Sequence, residues 1–401
     1  MEHAARRANA AGIRRGRVTW LSYLMLGFFT YLLNIQGNIL PFLKAELDLS
    51  YRAASLHFSA IAIGMLAVGL FGDRIIRRLG RRRALWLATG GISAGAVLLC
   101  LAPAAWISVG SCVLIGAPGA LIPAMVFAFL AEIHGEHRDE AFSECAAVSY
   151  LFAIMGPLAM TLCLSLSLGW RGAVLLGAVM GGAILLLFRN VPLADPADLP
   201  ATERASLSAA YWAYWCMLGA VVALEFSVLF WAPAFLERVV GLSAAAAAAG
   251  AAAFSVAMLT GRLAAGVLVR RVVAWHLFLA ALLVTILGFL VYWGLGWPLG
   301  AVVGLFVLGL GIAPLYPLTV GFAIEAAGPQ ADAASARFML AVGLSILSMP
   351  ALLGGLADEV GLRPAHLMVP GLATVALVCL GIAKALQRRS LVAVRQAELP
   401  D

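Results

Sequence analysis

Twelve apolar segments, each bounded by charge, constrain this chain more than any other feature of its sequence. They fall at approximately 19–41, 53–72, 84–102, 106–131, 141–168, 172–189, 209–236, 244–269, 274–296, 299–325, 336–357 and 364–386. A bilayer-spanning helix needs about 20 mostly apolar residues. Composition agrees: 63% of the residues are hydrophobic and 12% charged, against about 45–50% and about 25% in soluble domains. The expected fold is therefore all-α and polytopic. The first segment follows an arginine-rich tail but is long and lacks a small-residue cleavage site, so it reads as a span rather than a cleaved signal. Six cysteines without paired spacing read as packing residues, not as a disulfide framework or zinc site. No cofactor is expected.

The basic residues test the count. With the first residue on the cytoplasmic side, 21 of the 27 lysines and arginines fall on that side and five on the other, with Arg262 inside a span. This is a positive-inside pattern with both termini cytoplasmic. The stretch GDRIIRRLGRRR, residues 72–83, belongs to that pattern and is not a nucleic-acid patch. The scarcity of lysine beside abundant Arg, Ala and Gly suggests a bacterial source, hence an inner membrane. The expected partners are the lipid bilayer, a small-molecule substrate and protons, with a monomer sufficient for function.

The two halves echo one another at an offset of about 192 residues. Pro41 and Leu49-Ser50 match Pro233 and Leu242-Ser243. Pro123, Glu132 and Pro157 match Pro317, Glu325 and Pro350, and Gly169-Trp-Arg171 matches Gly361-Leu-Arg363. The expected organisation is a cytoplasmic tail (1–18), a six-helix bundle (19–189), a polar linker (190–208), a second six-helix bundle (209–386) and a C-terminal tail (387–401). Two pseudo-symmetric bundles place a site at their interface, exposed to alternate sides by rocking. That is the physical case for a transporter.

Gly69, Asp73 and Arg74, closing with Gly80, Arg81 and Arg82, resemble the loop 2–3 signature of the major facilitator superfamily. Gly169-Trp-Arg171 is similar to a recurrent turn of that family, and Gly156-Pro157 resembles the core of its antiporter motif. Five residues rather than one separate Arg74 from Gly80, so helix 2 is expected to run a turn deeper. The region of helix 4 where antiporters commonly carry an arginine reads VLIGAPG. The resemblance implies that helices 1, 4, 7 and 10 surround the cavity and that Asp73 caps helix 11 near Arg337, closing the cytoplasmic side. The repeat then suggests a mirror contact of Glu144 with Arg262 or Arg270. The alternative is that these acids only neutralise nearby arginines.

Among polar residues within spans, Glu225 near the middle of helix 7 stands out. An ionised carboxylate there costs about 3 kcal/mol on insertion scales, so it is expected to face the cavity and carry protons. A protonated glutamate bonded to neighbouring backbone is the alternative. Asn34 and Asn38, one turn apart on helix 1, either bind substrate or join helices; Gln36 points elsewhere. Tyr150, Phe226 and Tyr316 are candidate cavity walls, the last beside Pro314 and Pro317, which break helix 10. Glu132, His134 and His137 have weak metal-ligand spacing and no fixed third ligand. The leading expectation is a proton-coupled exporter of an amphipathic or hydrophobic compound. An uptake symporter or facilitator for a small polar metabolite and a non-transporting sensor or receptor on the same fold are the alternatives. An enzyme is not expected, since no acid–histidine or metal set lies within the spans.

Overall fold

Apolar segments held apart by charged turns become long helices because, in hydrocarbon, each backbone N–H and C=O must bond within its own segment. A computed structural model of the chain describes residues 15–193, 207–269, 271–328 and 331–397. Twelve of its helices are long and apolar enough to cross a membrane. They are α1 (Arg17–Glu46), α2 (Tyr51–Leu79), α3 (Arg81–Leu101), α4 (Ala105–His134), α5 (Arg138–Ser165) and α6 (Gly169–Phe188) in the first half. The second half holds α7 (Ala209–Arg238), α8 (Ala244–Leu268), α9 (Ala274–Gly294), α10 (Pro298–Ala327), α11 (Ala331–Val360) and α12 (Met368–Ala397). α12 stays helical beyond the expected boundary at 386. The arginine-rich ends of the helices gather at one face and the arginine-poor ends at the other.

Matched sequence signals become matched structure. Ser50 and Ser243 cap α2 and α8, their side chains accepting from Ala53 N at 3.1 Å and Ala246 N at 3.3 Å. Arg171 bonds the carbonyl of Cys100 at the end of α3, and Arg363 bonds that of Trp293 at the end of α9. α3 and α4 pack together as α9 and α10 do, α1 lies on α5, and α7 lies on α11. A side chain at Gly304 would collide with the backbone of Tyr292, so α9 and α10 approach as closely as helices can. Each half has its own apolar core, one centred on Phe28, Tyr31, Ile92 and Ile122, the other on Tyr214, Phe235, Phe278 and Leu308.

Across the halves, α2 packs on α11 and α5 on α8, so the second helix of each half meets the fifth of the other. The arginine-poor face is tightly joined. Asp358 at the end of α11 accepts from Tyr51 N and Arg52 N, both at 2.7 Å, at the start of α2. Ser59 donates to Leu347 O at 2.8 Å, and Phe58 stacks on Phe230 with centroids 4.1 Å apart. Thr161 donates to Ala245 O at 3.2 Å.

Candidate functional site

A helix that carries a polar group at mid-depth must turn it away from lipid, and four helices do so around one space, with Phe127 of α4 completing the wall. A cavity of about 250 Å³ lies between the halves, walled by α1, α4, α5, α7 and α8. Glu225 of α7 and Arg262 of α8 meet there, with Nη2 of Arg262 donating to Oε1 at 3.3 Å and Oε2 at 3.4 Å. Their side chains are 14% and 29% exposed. The guanidinium lies over the Tyr150 ring from α5, 4.7 Å from its centroid. The ion pair of one half thus rests on an aromatic of the other. Each partner shelters the other from the cost of a lone intramembrane charge, which is why both persist at this depth.

The rest of the wall is mixed. Thr30 of α1 and Ser149 of α5 share a hydrogen bond of 2.6 Å, and Asn34 donates to Thr30 O at 3.0 Å. Phe226, Leu229, Phe254 and Met258 supply an apolar side. α1 is interrupted at Ile35, between helical segments ending at Asn34 and beginning at Gln36. Gln36 donates to Leu32 O at 3.0 Å, so it satisfies its own helix.

Of the residues expected to bind substrate, Asn34, Tyr150, Glu225 and Phe226 share this cavity. Asn38 does not line it: that side chain is 3% exposed, and its amide reaches back to Asn34 O. The i−4 carbonyl above it is the nearest acceptor in a helix interior. Tyr316 is also outside the lining. It packs on the second-half core while interacting electrostatically with Arg262 and Glu225. α10 breaks at Ala313–Pro314 as its prolines require, yet α8, through its packing on α5, furnishes the cavity wall instead.

The expected contact of Glu144 with Arg262 is not formed. Glu144 receives Arg15 through two bonds of 2.9 and 2.6 Å and the Tyr23 hydroxyl at 3.0 Å. These groups stand on the same half at the arginine-rich face, while Arg262 is drawn inward by Glu225. Arg270 lies outside the described residues. The cavity-facing position of Arg262 was legible by one signal: a cation within a span is by default turned to a cavity.

The loop signature resolves as follows. α2 runs through Leu79, absorbing the extra turn after Gly69, Asp73 and Arg74, and Gly80 with φ 75° turns the chain directly into α3. Arg81 is buried and donates two bonds of 2.6 Å to Glu132 while covering the Phe129 ring. Arg82 bonds Arg189 O, tying α3 to the end of α6. The side chain of Asp73 lies outside the described part. Arg337 sits in α11, its carbonyl accepting from Trp215 at 2.9 Å. His134 Nε2 is 3.0 Å from Thr19 Oγ1. Glu132 on Arg81 and His134 on Thr19 thus turn two of the three side chains of the metal-like spacing to other partners.

Comparisons with known proteins bear on the same geometry. A family model described as Major Facilitator Superfamily matches residues 19–336. Three solved structures share the fold. A bacterial homolog of the human lysosomal transporter Spinster, inward-facing and unoccupied, has a TM-score of 0.70 at 16% identity, over 94% of this chain and 96% of that one. A mutant of the nucleoside transporter NupG has a TM-score of 0.74 at 12% identity, over 92% and 98%. A mutant of the peptide transporter POT in complex with sulfate has a TM-score of 0.75 at 16% identity, over 92% and 95%. The twelve spans and the family match together make this chain a multi-pass membrane protein that belongs to the major facilitator superfamily.

Proposed function

We propose that this chain is a secondary transporter, moving a small molecule by alternating access and coupled to protons through Glu225. The observation that carries the reading is the Glu225–Arg262 pair facing a cavity between the two halves. A proton taken up by Glu225 cancels its charge and leaves Arg262 unbalanced against the cavity. The net charge presented to a substrate therefore changes by one with each proton, which links occupancy of the two.

The joined arginine-poor face, held by Asp358 on the start of α2, supports an inward-facing conformation if the arginine-rich face is cytoplasmic. A bacterial inner membrane with both termini inside fits that orientation. Switching then requires the Asp358 contacts to part and the arginine-rich ends to close, with Asp73 and the Arg337 end of α11 as the closing pair. Family and fold point to transport rather than enzymatic chemistry.

The test is accumulation of a radiolabelled ligand, found by thermal-shift screening, in proteoliposomes with an imposed pH gradient. Glu225→Gln is expected to abolish gradient-driven accumulation while exchange of labelled for unlabelled ligand continues. Full gradient-driven accumulation by Glu225→Gln would remove Glu225 as the proton site.

A further inference from the structure

Arg262 is under-used by its partner. Among the described residues, three arginine–carboxylate pairs form two short bonds each, at 2.6 Å in Arg81–Glu132, at 2.6 and 2.9 Å in Arg15–Glu144 and at 2.7 and 3.0 Å in Arg171–Glu46, while the chain neighbours Arg238 and Glu237 meet only at 3.3 Å. Arg262 reaches Glu225 through one nitrogen only, at 3.3 and 3.4 Å, beyond the ~2.7–2.9 Å of a charge-assisted bond. Its Nε is buried and has no hydrogen-bond partner among the described groups. Tyr150 covers one face of the guanidinium, and the Arg262 side chain, 29% exposed, lines the cavity. A guanidinium edge offers two parallel N–H groups, the geometry that matches a carboxylate.

The surroundings narrow the ligand further. Phe226, Phe254 and Met258 give the cavity an apolar side, which suits a hydrocarbon body. The volume of about 250 Å³ falls below the ~300–1,000 Å³ of pockets for drug-sized molecules, so that body is one ring or a short branched chain. A second carboxylate on the ligand would meet Glu225 with no further cation among the described lining residues. An amine would face the charge of Arg262.

We infer that the cavity takes a small amphipathic monocarboxylate, its carboxylate on the edge of Arg262 and its apolar body against Phe226, Phe254 and Met258. The inference rests on the transport reading in one respect, that this cavity is the substrate site. It also fixes a sign. A proton on Glu225 frees Arg262 for the ligand, so proton and carboxylate favour one another and travel in the same direction. Tyr150 from α5 and Tyr316 from α10 are the other titratable groups that interact with the pair; both are neutral phenols across the working pH range. Co-transport then replaces the export suggested by Gly156-Pro157.

The test uses the full chain in lipid nanodiscs, with binding read by calorimetry and thermal shift. The probes are phenylacetate and 4-methylpentanoate, with phenylacetamide and phenethylamine as the neutral and cationic counterparts. At least one acid is expected to bind at least tenfold more tightly than phenylacetamide and phenethylamine. Arg262→Gln should weaken that binding at least tenfold, and Glu225→Gln should leave it as tight or tighter, since Arg262 is then free. Equal binding of the amide or the amine, no binding of either acid, or full binding by Arg262→Gln would overturn the proposal. Should Arg262→Gln fail to fold, the acid–amide comparison on the unaltered chain decides alone. The two readings separate cleanly. Arg262-dependent acid binding beside undiminished gradient-driven accumulation in Glu225→Gln would refute the proton site and keep the ligand class. Loss of accumulation in Glu225→Gln without acid binding would do the reverse.

Discussion

Glutamates with the same chemistry do different work here because their partners are buried to different degrees. Arg81 is 7% exposed and gives two bonds of 2.6 Å to Glu132, whose side chain is 48% exposed. Glu132→Gln removes a charge-assisted bond from a buried guanidinium, and unfolding in detergent should show a loss of about 1.5–3 kcal/mol. Glu46 bonds Arg171 with comparable geometry, at 2.7 and 3.0 Å, but those side chains are 40% and 46% exposed. Glu46→Gln should therefore cost no more than about 1 kcal/mol in the same assay, the range for solvent-screened pairs. Equal losses in the two variants would contradict the burial argument. Glu225 and Arg262 differ from both pairs in that their contact is long and opens on a cavity. Geometry suited to permanence is short and satisfied; theirs is neither.

Among elements, the hinge between α2 and α3 shows how a sequence oddity becomes a structural device. The spacing from Arg74 to Gly80 lengthens α2 by a turn, and Gly80 then adopts φ 75° and ψ 151°, a conformation open in practice to glycine alone. Gly80→Ala should lower stability by about 1–3 kcal/mol, read as a lower unfolding temperature, with no group in the cavity disturbed. At the other end of α2, Asp358 acts as a cap donated by another helix. Asp358→Ala should cost the arginine-poor closure about 0.5–2 kcal/mol, the range for lost helix caps.

The number of spans was legible because charge is costly in hydrocarbon and the arginines mark one side; helix ends were less so, since α2 and α12 run past their apolar stretches to Leu79 and Ala397. The Ser50 and Ser243 caps were visible as repeat matches. Glu225, Asn34, Tyr150 and Phe226 were legible as cavity residues from polarity, aromaticity and depth. The pairing of Arg262 with Glu225 was not, because it depends on which faces of α7 and α8 meet, and 37 residues of separation carry no periodic signal of that. The burial of Asn38 was not legible, because polarity alone does not show that the helix backbone itself accepts its amide. The Arg15 partner of Glu144 was not legible either, because Arg15 lies outside the first span and nothing in the spacing brings it to α5.

For the whole molecule, the exchanged packing of α2 on α11 and α5 on α8 gives two seams about which the halves can rock. The conformation described has its arginine-poor seam fastened by Asp358, Ser59 and the Phe58–Phe230 stack. The central claim is that closure at one face and closure at the other exclude each other, with the Glu225–Arg262 site between them. Electron–electron resonance distances test it most directly, on a chain with its six cysteines replaced and spin labels placed in pairs. Leu168 and Trp297, both exposed, report the arginine-poor face; Glu140 and Val273, also exposed, report the arginine-rich face. In nanodiscs, Asp358→Ala should lengthen the Leu168–Trp297 distance and shorten the Glu140–Val273 distance in the same population of molecules. Distances that stay fixed at both faces, or that lengthen at both together, would contradict alternating access in this protein.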